Sequence, residues 1–210
     1  MSGNGLISVG RTTIGPGLMD AFKLEGTTYT LLNPFGSHQN AIATAASADG
    51  SLVVGFSIDG FGDNQAVSWT GSTATLLDTN NDYFLSEATG VSANGGTIIG
   101  WGFSRSASLE EAFYVRSGTL TNLRSFFEGG AHKANGVSAD GNRIVCTGAS
   151  NFSAPSYMFG LIINIGGTSD YISAANNITE FNDNGLTFTQ LTGISGNGEV
   201  VIGFASSGFS

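Results

Sequence analysis

Ala88-Thr89-Gly90-Val91-Ser92-Ala93-Asn94-Gly95-Gly96-Thr97-Ile98-Ile99-Gly100-Trp101 is the stretch that decides the fold. An Asn-Gly pair flanked by apolar runs is a strong short-range signal for a β-hairpin, because such pairs reach the left-handed backbone conformations that tight hairpin turns need. Working outward, the motif Ser-x-Asp/Asn-Gly returns as Ser2-Gly3-Asn4-Gly5, Ser47-Ala48-Asp49-Gly50, Ser138-Ala139-Asp140-Gly141 and Ser195-Gly196-Asn197-Gly198. The five serines are 45, 45, 46 and 57 residues apart. A period of this size means one supersecondary unit copied and stacked.

More than the turn recurs. Six and seven residues after each serine stand Val53-Val54, Ile98-Ile99, Ile144-Val145, Val201-Ile202 and, more weakly, Ser8-Val9. Four residues before it stand Ala43, Ala88, Ala134 and Leu191, which supply the incoming strand. Nineteen or twenty residues after it comes a second apolar cluster: Ala21 to Leu24, Ala66 to Trp69, Ala112 to Val115 and, loosely, Met158 to Leu161. A glycine follows (Gly26, Gly71, Gly118, Gly167), then an aliphatic residue (Leu31, Leu76, Leu123, Ile172), which reads as a second hairpin.

Four short strands in about 46 residues match one blade of a β-propeller. The expected fold is all-β: a propeller of four four-stranded blades, or of five with one incomplete, rather than an open stack or another β-solenoid. Residues 1–210 form a single repeat domain, with units beginning near Ser2, Ser47, Ser92 and Ser138 and a partial unit from Ser195. The first unit lacks its first strand. The segment from about Thr187 to Ser195 is positioned to supply it and close the ring, although Leu6–Val9 and Val200–Phe204 then compete for the second-strand place.

Composition excludes several classes of function. Glycine is 32 of 210 residues and charged residues are 11%, against typical values of ~7% and ~25%, a balance suited to short strands and tight turns. Hydrophobic residues at 40%, recurring in register, argue against disorder. A net charge of −9 with seven basic residues scattered singly argues against nucleic acid and against an anionic membrane surface. No apolar run reaches the ~18 residues of a membrane span, and Met1 to Gly5, already inside a unit, does not read as a secretory signal. The single cysteine, Cys146, rules out an internal disulfide, and standing where other units have Gly10, Gly55, Gly100 and Gly203 it reads as a small residue in a tight slot.

The composite pattern Ala-x-x-Val-Ser-Ala-Asp-Gly-x-x-Ile-Val-Gly, then Ala-Phe-x-Trp, then Gly and Leu, resembles the HAF-repeat family of extracellular repeat proteins over essentially the whole chain. Its best copies here are Ala88–Trp101 and Ala134–Val145, with Gln65–Trp69 for the later part. The family's His slot holds Asp20, Gln65, Glu111 and Tyr157, so no repeated His site is expected. The resemblance implies a cell-surface, secreted or virion setting and a propeller-like fold, and brings no catalytic residues.

Individual residues point to contacts more than to chemistry. His38 and His132 occupy different places in their units and read as solvated loop residues. The motif serines lie in turns rather than in a nucleophile elbow, with Ser138 and Asp140 bonding their own backbone. Asn182-Asp183-Asn184-Gly185 and Asp59-Gly60-Phe61-Gly62-Asp63 space oxygen ligands as a Ca²⁺ loop does, but lack the terminal bidentate Glu, so ordinary turns are favoured and no cofactor is expected. Phe56, Trp101 and Phe204 share one place in the repeat, and Trp69 ends a strand. Such rings either fill the wedge between blades or stack on sugars. Insertions in one copy of a repeat map to loops on one face, so the longer fourth unit makes Asn176–Leu186, with Asn182 and Asp183, a place for a specialised contact.

The expected function is therefore non-enzymatic: a structural and interaction protein exposed outside cells, above all a virion component such as a phage tail, fibre or capsid-surface protein. Its partners would be other chains of an assembly. The alternative is a secreted or cell-surface carbohydrate-binding propeller, a lectin or adhesin, whose partners are surface glycans.

Overall fold

The computed structural model describes residues 2, 5–124, 131–149, 158–165, 178–181 and 188–206. They form seventeen strands, and no helix occurs among them. The first sheet holds three strands in the order β1 (Ile7–Gly15), β2 (Leu18–Glu25) and β3 (Thr28–Leu32). The second holds β4 (Asn40–Ala46), β5 (Leu52–Ile58), β6 (Asn64–Thr70) and β7 (Thr73–Leu76). The third repeats that meander with β8 (Tyr83–Val91), β9 (Thr97–Ser104), β10 (Glu110–Arg116) and β11 (Thr119–Asn122). In the fourth, β12 (Ala131–Val137), β13 (Arg143–Ala149), β14 (Met158–Asn164) and β15 (Ile178–Phe181) pair in succession, and a further hairpin, β16 (Phe188–Ile194) with β17 (Val201–Ser206), follows.

Four of the motif turns are built by their own side chains. Ser47 Oγ donates to Asp49 Oδ1 (2.7 Å) and accepts from the Leu52 amide (3.1 Å), while the Ser51 amide donates to the same Asp49 oxygen (3.0 Å). Ser92 with Asn94 and Thr97, Ser138 with Asp140 and Arg143, and Ser195 with Asn197 and Val200 reproduce this arrangement. The motif glycine completes it at positive φ (66° at Gly50, 72° at Gly95, 76° at Gly141), where a Cβ is strained. Ser47, Ser92 and Ser138 are buried, so their hydroxyls are committed to the fold.

The residue eight after the motif serine is glycine for a steric reason. A Cβ at Gly55 would run into the Ile42 carbonyl oxygen, and one at Gly100 into that of Glu87. Opposite this point the incoming strand carries a β-bulge, with Thr44, Thr89, Asn135 and Thr192 as the extra residues. Cys146 fills the slot in the fourth sheet, fully buried, and burial pushes its thiol pKa far up.

Two results differ from the sequence-based expectation. β16 does not complete the first sheet; it pairs with β17 and touches β14 at Met158–Phe188, while β1 pairs only with β2 among the described strands. The described sheets are separate sets, antiparallel apart from the β14–β16 contact, and among the described residues the ring is not closed by Phe188–Ile194, the described part of the segment expected to close it. His132 lies within β12 rather than in a connecting segment, and His38, although in a loop, has its Nδ1 enclosed and its ring edge-on to Phe35 at 5.6 Å.

The core lies between sheets. Val53 packs with Ile7, Ala21 and Leu32 of the first sheet, and its neighbour Val54 with Tyr83, Ala88 and Phe113 of the third. Ile98 and Ile99 divide in the same way between the second and fourth sheets. Strand alternation thus sends the residue six after the serine to the preceding sheet and the residue seven after it to the following one.

Candidate interaction surfaces

The sheets are clasped by a second set of bonds. Thr44 Oγ1 donates to the Ala88 carbonyl and Thr89 Oγ1 to the Ala134 carbonyl, both at 2.7 Å, and Asn135 Nδ2 donates to the Leu191 carbonyl at 2.7 Å. The two threonine bonds run from the bulge of one sheet to the first strand of the next, and the asparagine bond runs from the β12 bulge to β16 of the further hairpin. The turns are linked too: the Ala48 amide donates to the Ala93 carbonyl (2.9 Å), Asn94 to Ala139 (3.2 Å) and Ala139 to Gly196 (2.8 Å). The recurring polar residue three before the motif serine was the sequence signal for the clasp.

Most of the scarce basic residues bridge sheets. Lys23 Nζ reaches the Gly50 carbonyl (3.2 Å) and Arg143 the Gly198 carbonyl (2.8 Å). Arg116 donates to the carbonyls of Gly141 and Ile165 and to Asn142 Oδ1. Lys133 lies 4.2 Å from the centre of the Trp101 ring. Cations spent in this way leave an acidic surface with little to offer a polyanion.

That network places the aromatic candidates. Trp69 is fully buried in the core between the first and second sheets, and its Nε1 donates to the Asn33 carbonyl at 2.7 Å, so it offers no ring face to a ligand. Phe56 and Trp101 are half-buried, and Lys133 of the next sheet covers Trp101. Phe204, at the matching place on β17, is exposed. Asn182 and Asp183 lie outside the described residues. In the Asp59–Asp63 loop, Asp59 Oδ1 accepts the Phe61 and Asp63 amides (2.8 and 3.0 Å), as a turn-forming aspartate does.

Two surface features went unmarked in the sequence. Phe61, at the tip of that loop, is 95% exposed. On the same rim Arg105 lies 4.3 Å from the centre of the exposed Phe84 ring, which tilts against Phe103 at 6.3 Å, and Gln65 at the base of the Phe61 loop donates to the Phe84 carbonyl. A cleft of about 500 Å³ opens between the second and third sheets, lined by Leu52, Ser68, Thr75, Ile98, Val115 and Ser117 among others, with no aromatic or charged group. Nothing in it resembles the ring platforms expected of a glycan site. Among the described residues no cluster of three or more His, Cys, Asp or Glu is placed to hold a metal ion.

The arrangement of successive antiparallel meanders, each packed face to face on the next, is shared with solved structures. TolB from Acinetobacter baumannii superposes with a TM-score of 0.62 at 15% identity over 95% of this chain and 46% of that one. A chain assigned as TolB from Agrobacterium tumefaciens gives 0.57 at 16% identity, covering 90% and 66%. The fold is of the β-propeller type. A chain of the nidogen–laminin complex gives 0.52 at 9% identity, covering 89% of this chain and 64% of that one. The present chain thus spans between 46% and 66% of the length of these three solved chains. No family model matches the sequence, and no curated protein matches it. At these identities the likeness is one of fold.

Proposed function

We propose that the protein is a non-enzymatic structural and interaction module made of four propeller blades and the start of a fifth, displayed outside cells, with a virion component as the leading case. One observation carries this reading: the repeated polar residues are spent on turns and clasps, while large apolar side chains stay exposed at the first sheet, the last hairpin and the loop rim. Exposed apolar patches of this kind mark protein contacts. The extracellular setting comes from the resemblance to the HAF-repeat family. Antibodies raised against the chain test it: gold label on released particles or on the cell exterior is expected, and label confined to the cell interior overturns it.

The second reading, a glycan-binding propeller, draws on Phe61 and on Phe84 with Arg105 rather than on one site per blade. Binding on a glycan array, lost on Phe61→Ala or Phe84→Ala, would favour it; an array blank at high chain concentration removes it.

A further inference from the structure

Every inner sheet is covered on both faces. Val67 and Trp69, and in the next sheet Phe113 and Val115, face the preceding sheet and are buried there, whereas Val54 and Ile99 are fully buried toward the following one and Val145, at the same place in the repeat, is fully buried too. The two ends of the array expose the matching positions. Phe22 and Leu24 stand where Val67 and Trp69 do, and beside them Tyr29 is 50% and Leu31 42% exposed, with Tyr29 stacked on Phe22 at 5.2 Å. At the other end Ile202, the counterpart of Val54, Ile99 and Val145, is 63% exposed, and Val200 on the same face 59%.

We infer that the outward face of β17 docks on the outward face of β2 and β3 of a second copy of this chain. The two faces are the two halves of a junction the chain already builds between its own sheets, so a second copy continues an existing interface. The contact centres on Phe22, Leu24, Tyr29 and Leu31; Ser8 on β1, standing where Val53, Ile98 and Ile144 are apolar, forms its polar margin. Because the two patches differ, the contact is heterologous, and copies add head to tail into a ring or a filament. This rests on the interaction reading above and is independent of the extracellular setting.

Light scattering across a concentration series tests it, with Leu31→Asp and Ile202→Asp as variants at exposed positions and circular dichroism to verify that each is folded. The wild-type chain should form species larger than a monomer. Each variant alone should be monomeric, and an equimolar mixture should give a one-to-one dimer and nothing larger, since each copy retains one working face. A monomeric wild-type chain, a variant that still assembles alone, or a mixture that stays monomeric overturns the proposal. A monomeric chain that still labels released particles would sink self-association and leave the interaction reading standing.

Discussion

Thr89 and Ala134, 45 residues apart in sequence, are joined by a 2.7 Å hydrogen bond from the threonine hydroxyl to the alanine carbonyl, and the same bond joins Thr44 to Ala88. The donor is the extra residue of a β-bulge, whose irregularity brings its hydroxyl within 2.7 Å of the next sheet while it stays within 3.1–3.4 Å of a carbonyl in its own. Thr89→Val keeps the shape and removes the donor, so it should lower stability by about 1 kcal/mol. Thr192→Val should change stability by a few tenths at most, because among the described residues Thr192 bonds within its own hairpin, to the Ile202 carbonyl at 3.3 Å. Urea midpoints of the two variants check the contrast; equal losses would refute the clasp.

Gly100 tolerates no side chain. An alanine there would drive its Cβ against the Glu87 carbonyl and to 2.5 Å from the Phe113 ring, and should cost about 3 kcal/mol through overpacking. Gly60→Ala, at a site with open space around it, should stay within about 0.5 kcal/mol. Thermal unfolding of both variants measures the difference.

Acid should weaken the turns. The Ser47 hydroxyl first, then the Ser51 amide and hydroxyl, hold the Asp49 carboxyl down at about 2, below its ordinary 3.8, and hydrogen bonds from Ser138 and then Asn142 also lower Asp140. A carboxyl depressed in the folded state contributes stability above its unfolded pKa and loses it as pH falls toward the folded value. For Asp49 that window runs from 3.8 down to about 2, with no contribution to pH dependence at neutrality. The pair Asp49→Asn and Asp140→Asn should flatten this acid limb and remain folded, since Asn94 and Asn197 already serve in the same place. An unchanged acid limb in the double variant counts against the assignment.

Arg116 binds the third sheet to the fourth through two carbonyls and Asn142. Arg116→Ala should cost about 2 kcal/mol, and Arg116→Lys should recover only part of it, because an ammonium cannot span acceptors that the planar guanidinium reaches together. Denaturant titration of the two variants decides.

Cys146 should be inert to thiol reagents in the folded protein and react only on unfolding, as burial raises its pKa and encloses the sulfur. Labelling with a chromogenic disulfide reagent, with and without denaturant, reads this directly.

Local signals made the hairpins legible. Ser, Asp/Asn and Gly close each turn through bonds spanning five residues or fewer, and the apolar pairs after them need only strand alternation to find opposite faces. What escaped depends on the angles between sheets. Whether β16 reaches β1 is set by rotations summed over four junctions, which no short segment encodes. The bulge threonines were missed because an extra residue breaks the alternation used to assign faces. Trp69 and Trp101, from different places in the repeat, were open to the same two roles in sequence, yet one is sealed in a core and the other lies beneath Lys133, a distinction made by the neighbouring sheet.

The bonds linking one motif turn to the next also set how the protein would respond to load. Ala48 to Ala93 and Ala139 to Gly196 tie neighbouring sheets by isolated bonds along one rim, reinforced by the threonine clasps, Arg116 and apolar packing, whereas the strands within a sheet share whole ladders. Pulled from its two ends, the array should part first at these ties and then surrender one sheet at a time. Each event would release roughly 150 Å of slack, from about 46 residues at some 3.3 Å each. The chain would then lengthen in steps under tension, as a shock absorber does.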